Sequence, residues 1–415
     1  MAGGSWWFAP EPAELSGSRL ILDLGLRSTD QRLRELVVPG IGRVWFVRQL
    51  SWSVAAILLR DELCAERDSS IRATTISHAL EALGCKLEFR ENADGDRILG
   101  KRAFGRDIED SHWSFSDLTK RRHYVQNTYR QMTSRTLLGL GLATGSRYER
   151  FELTEIGREL AEAFLRQEVG QGGAPLRKRI TSWINDEAID YRSMRKALSP
   201  NHPGADESDV VWRRLIGLDT PESKTRERLC RAFRDRKTTP DVDDIRTVIV
   251  SRLTGDVGAR QATDIKTALV FGGMVAAVRG LLVAITTVLA ERGQATVADL
   301  IRPSRRDLHE VRQRGDHVER QARLASFKDD KLIQFLGEIA PTADDRTCLR
   351  HLVSRAQDLL ILDGDLVRKG PLFRRLGQDD DEANVKEQPR EPSGNTFRIG
   401  NLHSLWRDCD NAGFP

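Results

Sequence analysis

The 415-residue sequence predicts a mainly α-helical protein, with small β-hairpins in its N-terminal half and a helical bundle in its C-terminal half. Three observations point there. Apolar residues recur at helical spacing through most of the chain, and the stretch from Ala268 to Ala290 is almost wholly apolar. Two turn signatures, Asn92-Ala-Asp-Gly95 and Thr144-Gly-Ser-Arg147, each separate short runs of the kind that pair as hairpins. Gly170-Gln-Gly-Gly-Ala-Pro175 reads as a linker, and the sequence beyond it reads as helices with short breaks.

Length alone predicts two or three domains. The expected divisions are a helical region with a Trp-rich helix at 1–69, a domain of helices and hairpins at 70–169, and a bundle at 176–376. A mobile acidic loop at 377–396 and a docking segment at 397–415 complete the chain. Hydrophobic content of 39 % and charged content of 30 % exclude the disordered and membrane-embedded classes. The N-terminus carries no secretory pattern, and the five cysteines are scattered without a CxxC pair. A cytoplasmic, reducing setting is expected.

Taken in order, residues 1–20 read as an arm bearing Trp6, Trp7 and Phe8, and Leu20–Leu26 as a strand or a short helix. Leu33–Val38 leads into Pro39-Gly-Ile-Gly42, then a helix over Arg43–Leu63 carries Trp45, Phe46 and Trp52. The glycine pattern lacks the Lys-Ser/Thr ending of a phosphate loop, so it predicts a turn that aims the Trp helix inward. A helix over Ile71–Gly84, capped by Ser70 or Thr74, precedes a hairpin pairing Lys86–Phe89 with Arg97–Leu99. A basic helix is expected over Leu118–Leu138 with Ser116 as its cap. A hairpin follows: Leu140–Ala143 rises, Gly145 frees the turn, and Tyr148–Leu153 returns. Thr154 then caps a helix that buries Leu160, Ala161 and Phe164.

Helix, Gly-tipped hairpin and then Phe151-Glu-Leu-Thr-Glu-Ile-Gly-Arg-Glu-Leu-Ala161 resembles the closing half of a winged helix-turn-helix domain, placed at about 70–165. The resemblance implies that the helix before the wing enters a DNA groove and that the wing lies along phosphates. It therefore implies DNA contact by Lys120, Arg121, Arg122, Arg130, Arg135, Arg147 and Arg150. Charge agrees: Thr119–Arg150 holds these seven basic residues and one acid, Glu149, a net +6 where the whole chain carries +4. Protein docking and a purely structural role remain the alternatives for such a segment.

Beyond the linker, helices are expected at 176–186, 189–198, 209–217, 222–235 and 242–253, then at 264–292, 297–301, 305–321, 331–339 and 347–362. The 264–292 helix is long enough to span a bilayer, but Arg279 near its middle would be costly there. Gly272, Ala276, Gly280 and Ala284 recur every fourth residue, so the helix is expected at the core of a soluble bundle, with homo-oligomerisation through the stripe left open. Arg279 calls for an acidic partner that the sequence does not name.

For chemistry, the eight histidines lie apart without a metal-ligand spacing, and no nucleophile elbow or kinase signature occurs. Asp363-Gly-Asp365 with Lys369 is a weak likeness to nuclease carboxylates and reads as a turn after a helix. Cys64 and Cys85 read as core. No catalytic residue, metal or cofactor is therefore expected. Leu36-Val-Val-Pro-Gly-Ile-Gly-Arg-Val-Trp-Phe46, leading into the Trp helix, is similar to uncharacterised bacterial proteins of anti-phage defence clusters; the match rests on residues 24–60 and loosely on 95–165. It carries no catalytic motif over and so implies context rather than mechanism; the leading expectation is a non-enzymatic DNA-binding or adaptor subunit of a defence complex, working with a separately encoded ATPase or nuclease. The alternatives are a winged-helix transcription regulator with a dimerising or ligand-sensing bundle, and an enzyme with an unrecognised site.

Overall fold

The computed structural model describes residues 24–67, 70–106, 113–120, 123–125, 127–170, 172–187, 190–340, 342–371 and 396–410. The expected arm at 1–20 and all of the acidic loop at 377–396 except Thr396 lie outside them. Helices dominate, joined by antiparallel sheets of two or three strands, as the sequence predicts. The chain forms two compact units, one from residues 38–252 with 396–410, the other from 24–37 with 253–371. Helix α1 (Arg27–Val37) belongs to the second.

The larger unit is built around α2 (Val47–Arg67), which packs against α3 (Ala73–Glu91), α4 (Tyr129–Gly139) and α5 (Glu155–Leu165). Trp45, Phe46, Trp52 and Tyr129 form one aromatic cluster, with Phe46 and Tyr129 edge to face at 5.0 Å. Pro39-Gly-Ile-Gly42 is a packing turn. Gly40 and Gly42 have positive φ, and a Cβ on Gly42 would stand 2.6 Å from the Thr136 hydroxyl, so glycine lets this turn lie flat on α4. Strands β1 (Ala143–Thr144) and β2 (Glu152–Leu153) pair before α5, with a 3-10 turn at Tyr148–Arg150 where a longer returning strand was expected. Thr154 caps α5, accepting from the Gly157 N–H at 3.1 Å. Gly157 is small for a reason: a Cβ there would lie 1.8 Å from the Leu142 carbonyl oxygen.

Several expectations change here. The hairpin at 86–99 is absent, because α3 runs unbroken to Glu91, with Arg72 at its N-cap, whose own side chain makes no cap hydrogen bond. Every residue from Ala79 to Glu88 is buried, and a helix enclosed on all sides loses the one-faced pattern that identifies it. The linker expected at 170–175 is the turn of a hairpin, β3 (Glu168–Val169) with β4 (Ala174–Pro175), leading directly into α6 (Leu176–Ile184). Cys64 is exposed, whereas Cys85 is buried. Helices α7 (Ala205–Ile216) and α8 (Pro221–Phe233) follow, and the helical run Val242–Arg252 contains a π turn at Ile245–Ile249. Helix α13 (Ile399–Asp410), numbered after those of the smaller unit, returns to pack on α7, α8 and α2.

In the smaller unit, α9 (Gly255–Arg292) packs along α10 (Val297–Leu324), the two joined by β5 (Gln294–Thr296). Two expected helices, 297–301 and 305–321, are one, with Pro303 inside it. Then come α11 (Asp330–Glu338), α12 (Asp345–Arg355), β6 (Leu360–Asp363) and β7 (Leu366–Lys369), in a sheet of order β5-β7-β6. The helix expected to reach Leu362 thus stops at Arg355, and its last residues become a strand.

Helix α9 is long and apolar enough to cross a membrane, and 56 % of its most apolar 18-residue window is buried. The small-residue stripe is not its packing face. Gly272 is buried, but Ala276 and Gly280 are exposed and a Cβ on Gly280 meets nothing within 4 Å. Residues four apart drift by about 40° per step at 3.6 residues per turn, so the stripe winds off the buried face. Burial pushes the Arg279 guanidinium down to about 10, and the charge of Asp30 in α1, which itself pairs with Arg34 at 2.7 Å, opposes the shift.

Thermal melts should separate the two glycine environments. Gly157→Ala forces the α5 start away from Leu142 and should cost about 1–3 kcal/mol. Gly280→Leu meets open space and should change stability by less than about 0.5 kcal/mol. The reverse order of melting temperatures would contradict this packing.

Candidate nucleic-acid interface

Helix α4 begins at Tyr129 without a cap from Thr128. Glu81 of α3 supplies it, accepting from the backbone N–H of Tyr129 and of Arg130, both at 2.8 Å, while the Ser77 hydroxyl donates at 3.1 Å. An anion at a helix N-terminus meets unsatisfied donors and the positive end of the helix dipole. Glu81 is nevertheless fully enclosed, and burial pushes its carboxyl up to about 7 against the opposing pull of Arg130 and those donors.

The turn between β1 and β2 is held as firmly. Gly145 (φ +120°) makes it possible, since a Cβ there would lie 2.6 Å from the Arg150 carbonyl oxygen. The Tyr148 hydroxyl donates to the Ser53 carbonyl at 2.6 Å, tying the turn to α2. Arg60 of α2 donates to the carbonyls of Glu149 (2.8 Å) and Phe151 (3.2 Å). The Glu149 carboxylate accepts from the Thr74 N–H at 3.1 Å and so caps α3. With its one internal acid engaged, the turn presents Arg147 and Arg150 to solvent, and neither has an acidic partner among the described residues. Exposed Glu152 follows in β2.

The seven residues of the basic segment separate in space. Arg130 stands 5.2 Å over the ring of Tyr148, which lies between Arg147 and Arg150 in the chain. Arg135 is exposed on α4. Lys120 pairs with Asp117 at 2.8 Å, and Arg121 and Arg122 lie outside the described residues. The continuous basic helix over 118–138 is not formed: a short helix, Phe115–Leu118, ends well before α4, and its cap is Ser114 where Ser116 was expected. Tyr124 is the reason, being drawn against Phe104 in a stack at 5.9 Å with its hydroxyl 3.6 Å from the Cys85 sulfur. Two arginines missed from the sequence join the turn. Arg60 braces it, and exposed Arg72 sits at the α3 N-cap, two residues before Thr74. Their spacing of about 80 residues from the turn hides them from any local motif.

Asp363-Gly364-Asp365 tips the β6–β7 hairpin. Asp365 binds Arg346 and Arg350, and Asp363 binds Arg368, so these acids hold arginines. Among the described residues no three His, Cys, Asp or Glu side chains gather as a metal site.

Glu81 gives a pH test. Its carboxyl titrates near 4.5 when unfolded and about 7 when folded, so across that window the folded state binds the extra proton. Stability should therefore fall as pH rises through the window, by up to about 1.4 kcal/mol per unit, and Glu81→Gln should flatten that slope. Urea midpoints from pH 5 to 7 that decline equally in both proteins would refute the assignment.

The chain matches no known protein family, no curated protein and no solved structure.

Proposed function

We propose that this chain is a non-enzymatic DNA-binding or adaptor subunit that lays the Thr144–Arg150 turn on the phosphates of duplex DNA. The observation that carries this reading is the pair Arg147 and Arg150, exposed and without acidic partners among the described residues, on a turn locked by Tyr148, Arg60 and Glu149. A rigid cationic projection engages phosphate with little ordering cost, and arginine suits phosphate geometry. Arg72, Arg130 and Arg135 extend the charge around it. The resemblance of residues 24–60 to defence-cluster proteins supports a setting in which a separately encoded ATPase or nuclease is the partner. Arg279 in the middle of α9 favours a soluble, cytoplasmic protein over one that inserts this helix in lipid.

Anisotropy of a labelled duplex, titrated at several salt concentrations, tests the interface. Arg147→Ala with Arg150→Ala should weaken binding and make the slope of log K against log salt shallower by about 1.8, at roughly 0.9 for each phosphate no longer neutralised. An unchanged slope would remove the turn from the interface. The protein should also stay in the supernatant without detergent; recovery only in a salt-resistant membrane pellet would contradict the placement of α9.

A further inference from the structure

The smaller unit carries a second arginine surface that is independent of the turn at 144–150. In α10, Arg302, Arg305 and Arg306 follow one another at i, i+3 and i+4 and so share a side of the helix; all are exposed and none has a partner among the described residues. This part of α10 runs beside α12 and the β6–β7 hairpin. At its start, the Val297 N–H donates to the Asp365 carbonyl at 2.8 Å. Further on, Arg312 reaches Asp345 and the Ala343 carbonyl, each at 2.7 Å. Arg305 lies two turns before Arg312 on the same flank, the one that faces α12.

Helix α12 adds Arg346 and Arg350. Both converge on the hairpin tip: Arg346 pairs with Asp365 at 2.9 Å, and Arg350 donates to the Gly364 carbonyl at 2.6 Å and approaches Asp365 at 3.3 Å. Two guanidinium groups on one carboxylate leave a positive charge over. The other acids nearby are mostly occupied. The Asp299 carboxylate accepts from Thr296 at the α10 N-terminus, Asp344 caps α12, Glu310 pairs with Arg314, Asp345 with Arg312 and Asp363 with Arg368, while half-buried Asp307 has no engagement among the described residues.

We propose that Arg302, Arg305, Arg306, Arg346 and Arg350 form a second nucleic-acid surface, which binds the phosphate backbone of duplex DNA. Every basic group in the set is an arginine, the side chain that bonds phosphate oxygens in pairs. Helix α12 and the glycine-tipped β6–β7 hairpin hold Arg346 and Arg350 in place beside α10, so the guanidinium groups are positioned for contact with the phosphate backbone. Among the described residues, the exposed large apolar side chains of this unit are Leu36, Val257 and Ile333 on other helices and Leu324 at the far end of α10, so none accompanies Arg302, Arg305 and Arg306 to enter a lipid headgroup layer. Asp365 competes with the phosphate for Arg346 and Arg350, and so sets the affinity.

The test uses the full chain, a labelled DNA duplex, and vesicles of phosphatidylcholine with phosphatidylserine. Arg302→Ala, Arg305→Ala and Arg306→Ala together should weaken duplex binding about tenfold or more and make the salt slope shallower by about 2.7. Asp365→Asn should tighten binding by about threefold, because it releases two arginines to the phosphates; a merely structural role for this region predicts no gain. The Arg147→Ala, Arg150→Ala variant, measured alongside, reports the other surface. If it alone loses affinity, the proposal made here fails while the earlier one stands; if the α10 variant alone loses affinity, the reverse holds. A parent that does not bind duplex, an α10 variant that binds like the parent at every salt concentration, or a preference for the anionic vesicles over duplex would each overturn the proposal. Circular dichroism melts confirm that each variant is folded.

Discussion

The larger unit depends on one buried ion pair. Arg48 and Glu207 are both fully enclosed and meet at 2.9 Å. Stripping water from two charges is expensive, and further hydrogen bonds to the pair offset that cost. Here Glu207 also accepts from Gln167 (2.7 Å) and the Gly204 N–H (2.8 Å), and Arg48 donates to the His202 carbonyl (2.5 Å) with its guanidinium 4.9 Å over Phe164, although its buried Nε has no hydrogen-bond partner among the described residues. Burial depresses the Arg48 pKa, and Glu207, with Asp408 behind it, opposes the shift. The pair fastens α2 to α7. One residue earlier, the Val47 N–H donates to Asp408 of α13, which also takes both arms of Arg97 at 3.0 and 2.7 Å. The first turn of α2 therefore fixes three distant parts of the chain at once.

That anchoring gives the candidate interface its rigidity. Tyr148 and Arg60 attach the β1–β2 turn to α2 itself, and Glu149 attaches it to the start of α3. The solvent-facing arginines are thus carried by backbone that is held on its inner side by uncharged or compensated groups. A functional side chain positioned by a packed support loses less freedom on binding than one on a free loop.

Much of this was legible in the sequence, for identifiable reasons. The Thr154 cap, the Gly145 turn and the buried face of α5 are local features, and they form as read. Trp45, Phe46 and Trp52 announced the core because large aromatics seldom find another home. The failures share a different cause. Helix α3 is enclosed on every side, so its pattern resembled alternating strand. Tyr124 interrupts the basic segment because of a partner twenty residues upstream, Phe104. At 359–369 the Asp-Gly pair between two apolar runs is a local hairpin signal, and the helical spacing of the residues before it hides where the strand begins. At the candidate site, Arg147 and Arg150 were found by charge density, while Arg60 and Arg72 were invisible because only the tertiary fold brings them near.

The order of segments has a consequence for how the chain is made. Residues 38–252 need α13, which is synthesised after the whole of the smaller unit, and residues 253–371 pack with α1, which is synthesised before the larger one. Neither unit is a continuous stretch, so neither can be completed while its own middle is being translated. Asp408 reaches the α2 N-terminus across 361 positions, a closure with a large entropic cost that must be met late. Such long-range closure slows folding, and until it happens the first turn of α2 is without its Asp408 partner.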